Sequence, residues 1–362
     1  MWTHRLLALV LVGAMLPGAL LAKKKKKHAE EQTQVLQLPP EPPAAVVAET
    51  QRLAFQVSPL TAKGLLSQQT REALKALIRQ HHGASIIKLR AFVAGTGDMR
   101  RVSLIVSEIF AEKKQSIPAL TVIQAGALPM EGAQVVLESI AVEKKPVNPD
   151  GLAFISGQAA PSVQKSIEQL QIALRAASLD ASDVLRVTCF VSALDESSGG
   201  LTTLRAAFPQ TALDLVQMER EPSPTPAECE AVGRLRTPVT GSVRFLNPQF
   251  LSKSKDDSQI ALVAAPKLVI TGTQLAFHDQ EPDIRLAFER LEKALHPLGA
   301  KLDGVVMSHL YSLSQSTEQK VRAVRFEFYN RAHPPAGTML LFEGLPSLDA
   351  SFAVDVIAVP QN

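Results

Sequence analysis

The chain has 362 residues, enough for about two to three domains, and is 46% hydrophobic and 20% charged. That composition excludes a wholly disordered chain or a collagen-like fibre. The formal net charge is +3, from 38 Lys and Arg against 35 Asp and Glu, but Arg5 and Lys23 to Lys27 supply six of the cations, and without them 32 face 35, or −3. The body is therefore mildly acidic and only 5% aromatic, a poor base for phosphate contacts or base stacking, so no nucleic-acid partner is expected.

In chain order, Met1 to Arg5 carries one cation, residues 6–22 are almost wholly apolar around Pro17, and Ala22 offers a small residue for cleavage. Residues 1–22 read as a signal peptide, predicting an exported protein, periplasmic or secreted. The alternative is a membrane anchor over residues 6–22, because Lys23 to Lys27 follow the apolar run where positive charge tends to stay cytoplasmic. Residues 23–50, with the lysine run and Leu38-Pro39-Pro40-Glu41-Pro42-Pro43, read as an extended linker whose lysines offer at most a weak contact to an anionic surface. The two cysteines, Cys189 and Cys229, fall inside expected strands, where a free Cys behaves as a small buried apolar residue; in an exported protein they are also free to pair, and both states stay open. No CxxC or His-rich spacing points to a metal, and no cofactor is expected.

The remainder repeats. Apolar, β-prone runs over 118–124, 211–217 and 335–341 are closed by Pro129, Pro222 and Pro346 at the same distance, and each precedes a strand holding an acid: Glu138, Glu230 and Asp355. Upstream, Val163, Ile167, Leu170, Leu174 and Ala177 fall at helical spacing, as do Ile284, Phe288, Leu291, Leu295 and Leu298, with a shorter version in Ala73, Leu74, Leu77 and Ile78. Strands are expected over 86–93, 184–191 and 305–313. Second helices are expected over 99–114 and 317–331, shortened to 201–208 in the middle copy. The order predicts an α+β layer with helices on one sheet face, and strands apolar on both sides, such as 260–263 and 268–270, require the other face to pack against a sister sheet. The predicted division is 51–145, 146–236 and 237–362.

Gly151 to Gln158 (GLAFISGQ), with Leu179 to Val191 after the helix, resembles the RidA family, also called YjgF or endoribonuclease L-PSP. Leu268 to Gly272 and Leu302 to Val306 resemble it in the third copy, and the first is the most diverged. The resemblance implies a chorismate-mutase-like α+β unit that normally forms a homotrimer, sheets inside and helices outside, with ligand clefts between neighbours. Three units in one chain then predict a monomeric intramolecular pseudo-trimer with a small-molecule ligand. It also implies hydrolysis of amino-acid-derived imines or enamines through an Arg that grips the substrate carboxylate in a planar fork. The matching positions are Leu120, Leu213 and Gly337, so the clamp is missing three times. The acid that positions water is matched by Glu138, Glu230 and Asp355, the candidate catalytic residues. The expectation is a degenerate deaminase that binds small metabolites or acts as a scaffold, with an imine hydrolase at one retained cleft as the alternative.

Arg186, Arg220, Arg234 and Arg325 are candidates for replacing the lost charge. His309 and Tyr311, two apart on one strand, share a side and are candidate ligand-binding residues if that side is a cleft. His81-His82 are expected at the terminal carbonyls of the first helix. Gly95-Thr96-Gly97 lacks the full dinucleotide-loop pattern.

Overall fold

The computed structural model describes residues 39–361 apart from 96, 195–198, 221–222 and 252–255. The expected signal peptide, the Lys23 to Lys27 run and the closing Pro222 lie outside the described residues. Among the described residues no helix is long and apolar enough to cross a membrane.

The order is β1 (Ala45–Glu49), β2 (Leu53–Val57), α1 (Leu66–Gln80), β3 (Ser85–Ala94), α2 (Met99–Glu112), β4 (Ala119–Ala125) and β5 (Val135–Val142). It continues through β6 (Leu152–Ala160), α3 (Val163–Ala176), β7 (Val184–Val191), α4 (Gly200–Ala207), β8 (Ala212–Gln217) and β9 (Ala227–Arg234). The last stretch holds β10 (Val243–Leu246), β11 (Ile260–Val263), β12 (Lys267–Thr271), β13 (Gln274–Phe277), α5 (Glu281–Leu295), β14 (Val305–Ser312), α6 (Gln315–Val324), β15 (Ala336–Leu341) and β16 (Ala350–Ala358). Short polar side chains start several helices by accepting otherwise orphaned backbone N–H groups: Asp98 from Arg100, Ser162 from Lys165 and Ser314 from Thr317.

Three sheets form, in orders β2-β5-β3-β4, β10-β11-β6-β9-β7-β8 and β1-β12-β16-β14-β15, with β13 also on β16. In each, a helix crosses between two parallel strands (β3 and β4, β7 and β8, β14 and β15), and the last strand returns antiparallel to the first of the pair. Two pairings cut across the linear reading. Ala45–Glu49, inside the stretch read as linker, is a strand that covers the open edge of β12, as its Ala-Val-Val-Ala composition allows. Residues 243–263, placed by sequence with the third copy, form a hairpin on β6 of the second sheet.

Each sheet buries one face under its own helices. Leu74, Leu77, Val102 and Ile105 meet Leu89, Ala91 and Leu137; Ile167, Leu170 and Leu174 meet Val187 and Ala231; Ile284, Phe288 and Leu291 meet Leu310 and Val354. The opposite faces meet one another in two mixed clusters. One joins Leu53, Phe154 and Met307; the other joins Phe92, Phe190 and Phe342, whose ring centroids are 5.8 to 6.0 Å apart. Cys189 and Cys229, for which a free buried thiol was the strand-based expectation, stand directly opposite on β7 and β9 with Cα atoms 4.0 Å apart and are bonded as a disulfide. Antiparallel register put them side by side, which linear spacing could not show.

Candidate functional site

Side chains two apart on a strand share a face, so β3 presents Lys88, Arg90 and Phe92 together, β7 presents Arg186, Thr188 and Phe190, and β14 presents His309 and Tyr311. The antiparallel register sets Arg90 opposite Glu138, Thr188 opposite Glu230 and His309 opposite Asp355. The parallel register adds Thr121 beside Arg90, Asp214 beside Thr188 and Thr338 beside His309. These faces meet in the interior, in a polar layer between the two mixed apolar clusters.

Arg90 is the hub. Its Nε donates to Glu138 at 2.6 Å and its Nη2 to Glu230 at 2.7 Å and Thr188 Oγ1 at 3.2 Å, while its guanidinium lies over Phe92. Thr188 donates to Glu138 at 2.5 Å and Thr338 to Glu230 at 2.6 Å, and Arg186 lies 3.4 Å from Glu138 and 3.7 Å from Glu230. Asp355 accepts from Thr121 at 2.5 Å and from Tyr311 at 3.4 Å, and lies 2.9 Å from His309 Nδ1 and 3.3 Å from Lys88 Nζ. His309 Nε2 is 3.3 Å from Glu230, within ion-pair distance but without hydrogen-bond geometry, so its ring lies between two acids. Lys88 also donates to the Thr271 carbonyl at 2.6 Å.

The charge states follow from this geometry. Burial by itself would raise Glu138, but Arg186 and Arg90 outweigh it and hold the carboxyl below its usual range. Burial is likewise overridden at Glu230 by His309 and Arg90, and at Asp355 by Lys88 and His309, so both are lowered. At His309 burial is outweighed by Glu230 and Asp355, and the ring is raised. At Lys88 burial wins over Asp355, and the amine is lowered. Asp214 goes the other way: burial, then Glu138, raise it well above its usual value. Its Oδ1 accepts from the Leu215 N–H, and its Oδ2 has no hydrogen-bond partner.

All five candidate residues named from sequence, Glu138, Glu230, Asp355, His309 and Tyr311, thus lie in one cluster, facing each other rather than an opening. The three acids are only 1%, 1% and 3% exposed. Of the clamp positions, Leu120 is buried, Leu213 is half-buried, and at Gly337 the space a side chain would enter is taken by Asp257. Arg186 points into the interior cluster; Arg325 is fully buried and donates to Asp257 at 3.0 Å and to the Asp256 carbonyl at 2.8 Å; Arg220 and Arg234 are exposed. His81 does not act as a helix-end cation. Its Nε2 sits 2.8 Å from Ser139 Oγ, and burial, with His82 adding to it, pushes the ring down to about 4.

Open space lies between the sheets instead. A cavity of about 800 Å³ is lined by Gln56 and Ser58 of the first sheet side and by Arg205, Leu213 and Asp214 of the second. Another, of about 320 Å³, holds Thr225 and Glu228 from the second and Glu318, Arg322 and Met339 from the third. A third, of about 280 Å³, lies where Leu120 approaches Gly272 and Thr273, beside Pro42 and Pro43. Glu228 fits because Gly157 has no side chain to occupy the same space. Burial, reinforced by Glu230, Asp257 and Glu318, pushes Glu228 up to about 8, in a cleft that Arg322 also lines.

Sequence reasoning missed Lys88, Arg90, Asp214 and Glu228. A signal existed for three of them. Lys88 and Arg90 break an apolar strand at period two, and Glu228 precedes Glu230 by two residues, on the same face.

No known family profile matches the chain, and no curated protein matches it. Solved structures do. The chain is similar to YyfB from Yersinia pestis, described as a conserved Rid-family protein of unknown function, at 18% identity over 33% of this chain and 99% of the other, with a TM-score of 0.31. It is also similar to a putative endoribonuclease from Thermotoga maritima (20% identity, 33% and 98% covered, TM-score 0.25) and to the YjgF-family protein NMB1025 from Neisseria meningitidis (11%, 33% and 96%, TM-score 0.25). These structural neighbours are RidA/YjgF proteins, and each spans a third of this chain.

Proposed function

We propose that this protein is an exported RidA-like pseudo-trimer folded from one chain, with degenerate deaminase sites, that binds small polar metabolites in its inter-sheet clefts. The observation that carries this reading is the joint fate of the two catalytic elements. The clamp positions are Leu120, Leu213 and Gly337, and the matching acids Glu138, Glu230 and Asp355 are saturated by internal donors in a sealed cluster. A carboxylate substrate finds no planar fork at those positions, and positioning supplies much of the rate in such hydrolyses. The two mixed clusters support the pseudo-trimer, since each sheet needs the other two to bury its inner side.

Ammonia release from freshly generated 2-iminobutyrate tests this. The expected result is the uncatalysed rate; saturable turnover by the purified protein overturns the binding reading. A second reading, hydrolysis at one cleft, is favoured by one observation: Glu228, held up to about 8, is a proton donor in an open cleft that Arg322 also lines. Turnover lost in Glu228→Ala and kept in Glu138→Gln would establish it.

A further inference from the structure

The three clefts are not equivalent, because the chain fills one of them with itself. Before β1 begins, residues 39–44 run along α2: Pro39, Pro40, Glu41 and Pro42 share a cavity of about 370 Å³ with Ser103, Leu104 and Pro346. Pro42, Pro43 and Ala44 then line the third cleft beside Leu120, Gly272 and Thr273. Gly272 lets the Leu120 backbone approach, since a Cβ there would meet the Leu120 carbonyl at 3.0 Å, and the Pro43 carbonyl lies alongside at an ordinary contact distance of 3.5 Å from that position.

The segment is built to lie against the body without being part of it. Four of its six residues are prolines, which have no N–H for a ladder and favour the extended polyproline II form. Among the described residues, its hydrogen bonding to the body is a single bond, Gly272 N–H to Ala44 O at 2.8 Å. None of residues 39–44 is fully buried. By contrast β1, immediately following, is registered against β12 over five residue pairs. The segment is therefore seated by a proline-stiffened, low-entropy shape on a mixed wall in which Leu104, Pro346, Leu120 and Val122 supply the apolar contacts, as polyproline ligands dock, and it leads directly to the N-terminal stretch of the chain.

We propose that residues 39–44 are a releasable strap occupying, in cis, a polyproline-binding groove formed by α2 and the cleft between Leu120 and Gly272. Lifting the strap exposes the groove while β1 stays paired. The inference rests on this packing and holds whether or not the clefts bind metabolites.

The test uses the full chain and a fluorescein-labelled peptide of residues 38–45 (LPPEPPAA). In wild type the strap competes in cis. In the Pro40→Gly/Pro42→Gly/Pro43→Gly variant the strap loses its preformed shape, so peptide binding measured by anisotropy is expected to tighten at least tenfold, and to be lost again when Leu104→Asp is added. Equal binding by wild type and variant, or none by the folded variant, overturns the proposal. Should the variant fail to fold, amide hydrogen exchange on the wild-type protein decides. The Gly272 amide is expected to exchange at least tenfold faster than the amides shared by β12 and β16, and equal protection would show the strap to be a fixed part of the fold.

Discussion

Replacing Arg90 with Met tests the interior cluster most directly. The substitution keeps the volume of the chain against Phe92 and deletes the donors at 2.6 Å from Glu138 and 2.7 Å from Glu230. Removing one partner of a buried ion pair typically costs about 3–5 kcal/mol, because a charge is left without compensation. Here two acids lose their closest cation, yet Arg186 remains at 3.4 and 3.7 Å and the threonine hydroxyls still donate, so about 3–5 kcal/mol in total is the expected loss at pH 7. Against a domain stability of about 5–15 kcal/mol that is a large fraction. The pH dependence should weaken. In wild type Glu138 and Glu230 are depressed, so their contribution is present above the unfolded carboxylate range and lost as pH falls through the folded values. In the variant Arg186 still lowers Glu138 and His309 still lowers Glu230, but less depression is left, so less stability is lost as pH falls and the deficit against wild type shrinks. Urea unfolding followed by circular dichroism at pH 7.5 and pH 3 reads both effects, and Arg90→Met/Glu138→Gln/Glu230→Gln should recover much of the loss. A deficit under about 1 kcal/mol for Arg90→Met, or one that deepens on acidification, would refute the reasoning.

Three further outcomes follow from named contacts. His309 is raised by Glu230 and Asp355 against the cost of burial, so its stabilisation is fully present below the unfolded histidine value of about 6.5 and fades as pH rises through the folded value. A melting-temperature profile from pH 5 to 9 should therefore show a high-pH decline that His309→Gln removes, and identical profile shapes would count against these ion pairs. The Cys189–Cys229 bond closes a separation of 40 residues, so Cys189→Ala/Cys229→Ala should lose about 2–4 kcal/mol in denaturant unfolding, and an unchanged midpoint would show that the bond adds nothing. Glu228 is raised to about 8, so it costs the fold stability progressively as pH rises from the unfolded carboxylate value of about 4.3 to the folded one, and the cost levels off above it; Glu228→Gln should leave stability near pH 4 unchanged and increase it at pH 9, whereas a loss at pH 9 would mean that the ionised carboxylate is stabilising.

The secondary-structure elements were readable because their signals are local. The stripe Ile167, Leu170, Leu174 and the stripe Ile284, Phe288, Leu291 became α3 and α5, and the apolar runs before Pro129 and Pro346 became β4 and β15. Periodicity reports which face of an element avoids water, and that face is the same whatever lies opposite. Hence helix positions, strand order within a copy and the alternation that placed His309 and Tyr311 on one side all came from chain order.

What lies opposite a strand is a different kind of fact. Glu138, Glu230 and Asp355 were visible as acids on late strands, but their partners are Arg90, Thr338 and Thr121, far away along the chain and on other strands. The pairing of Cys189 with Cys229, the return of residues 243–263 to the second sheet and the docking of β1 on the third share this character. A carboxylate has the same composition whether it meets water, a substrate or a buried guanidinium. The field around it decides its charge, and that field is assembled when three sheets bring their inner faces together.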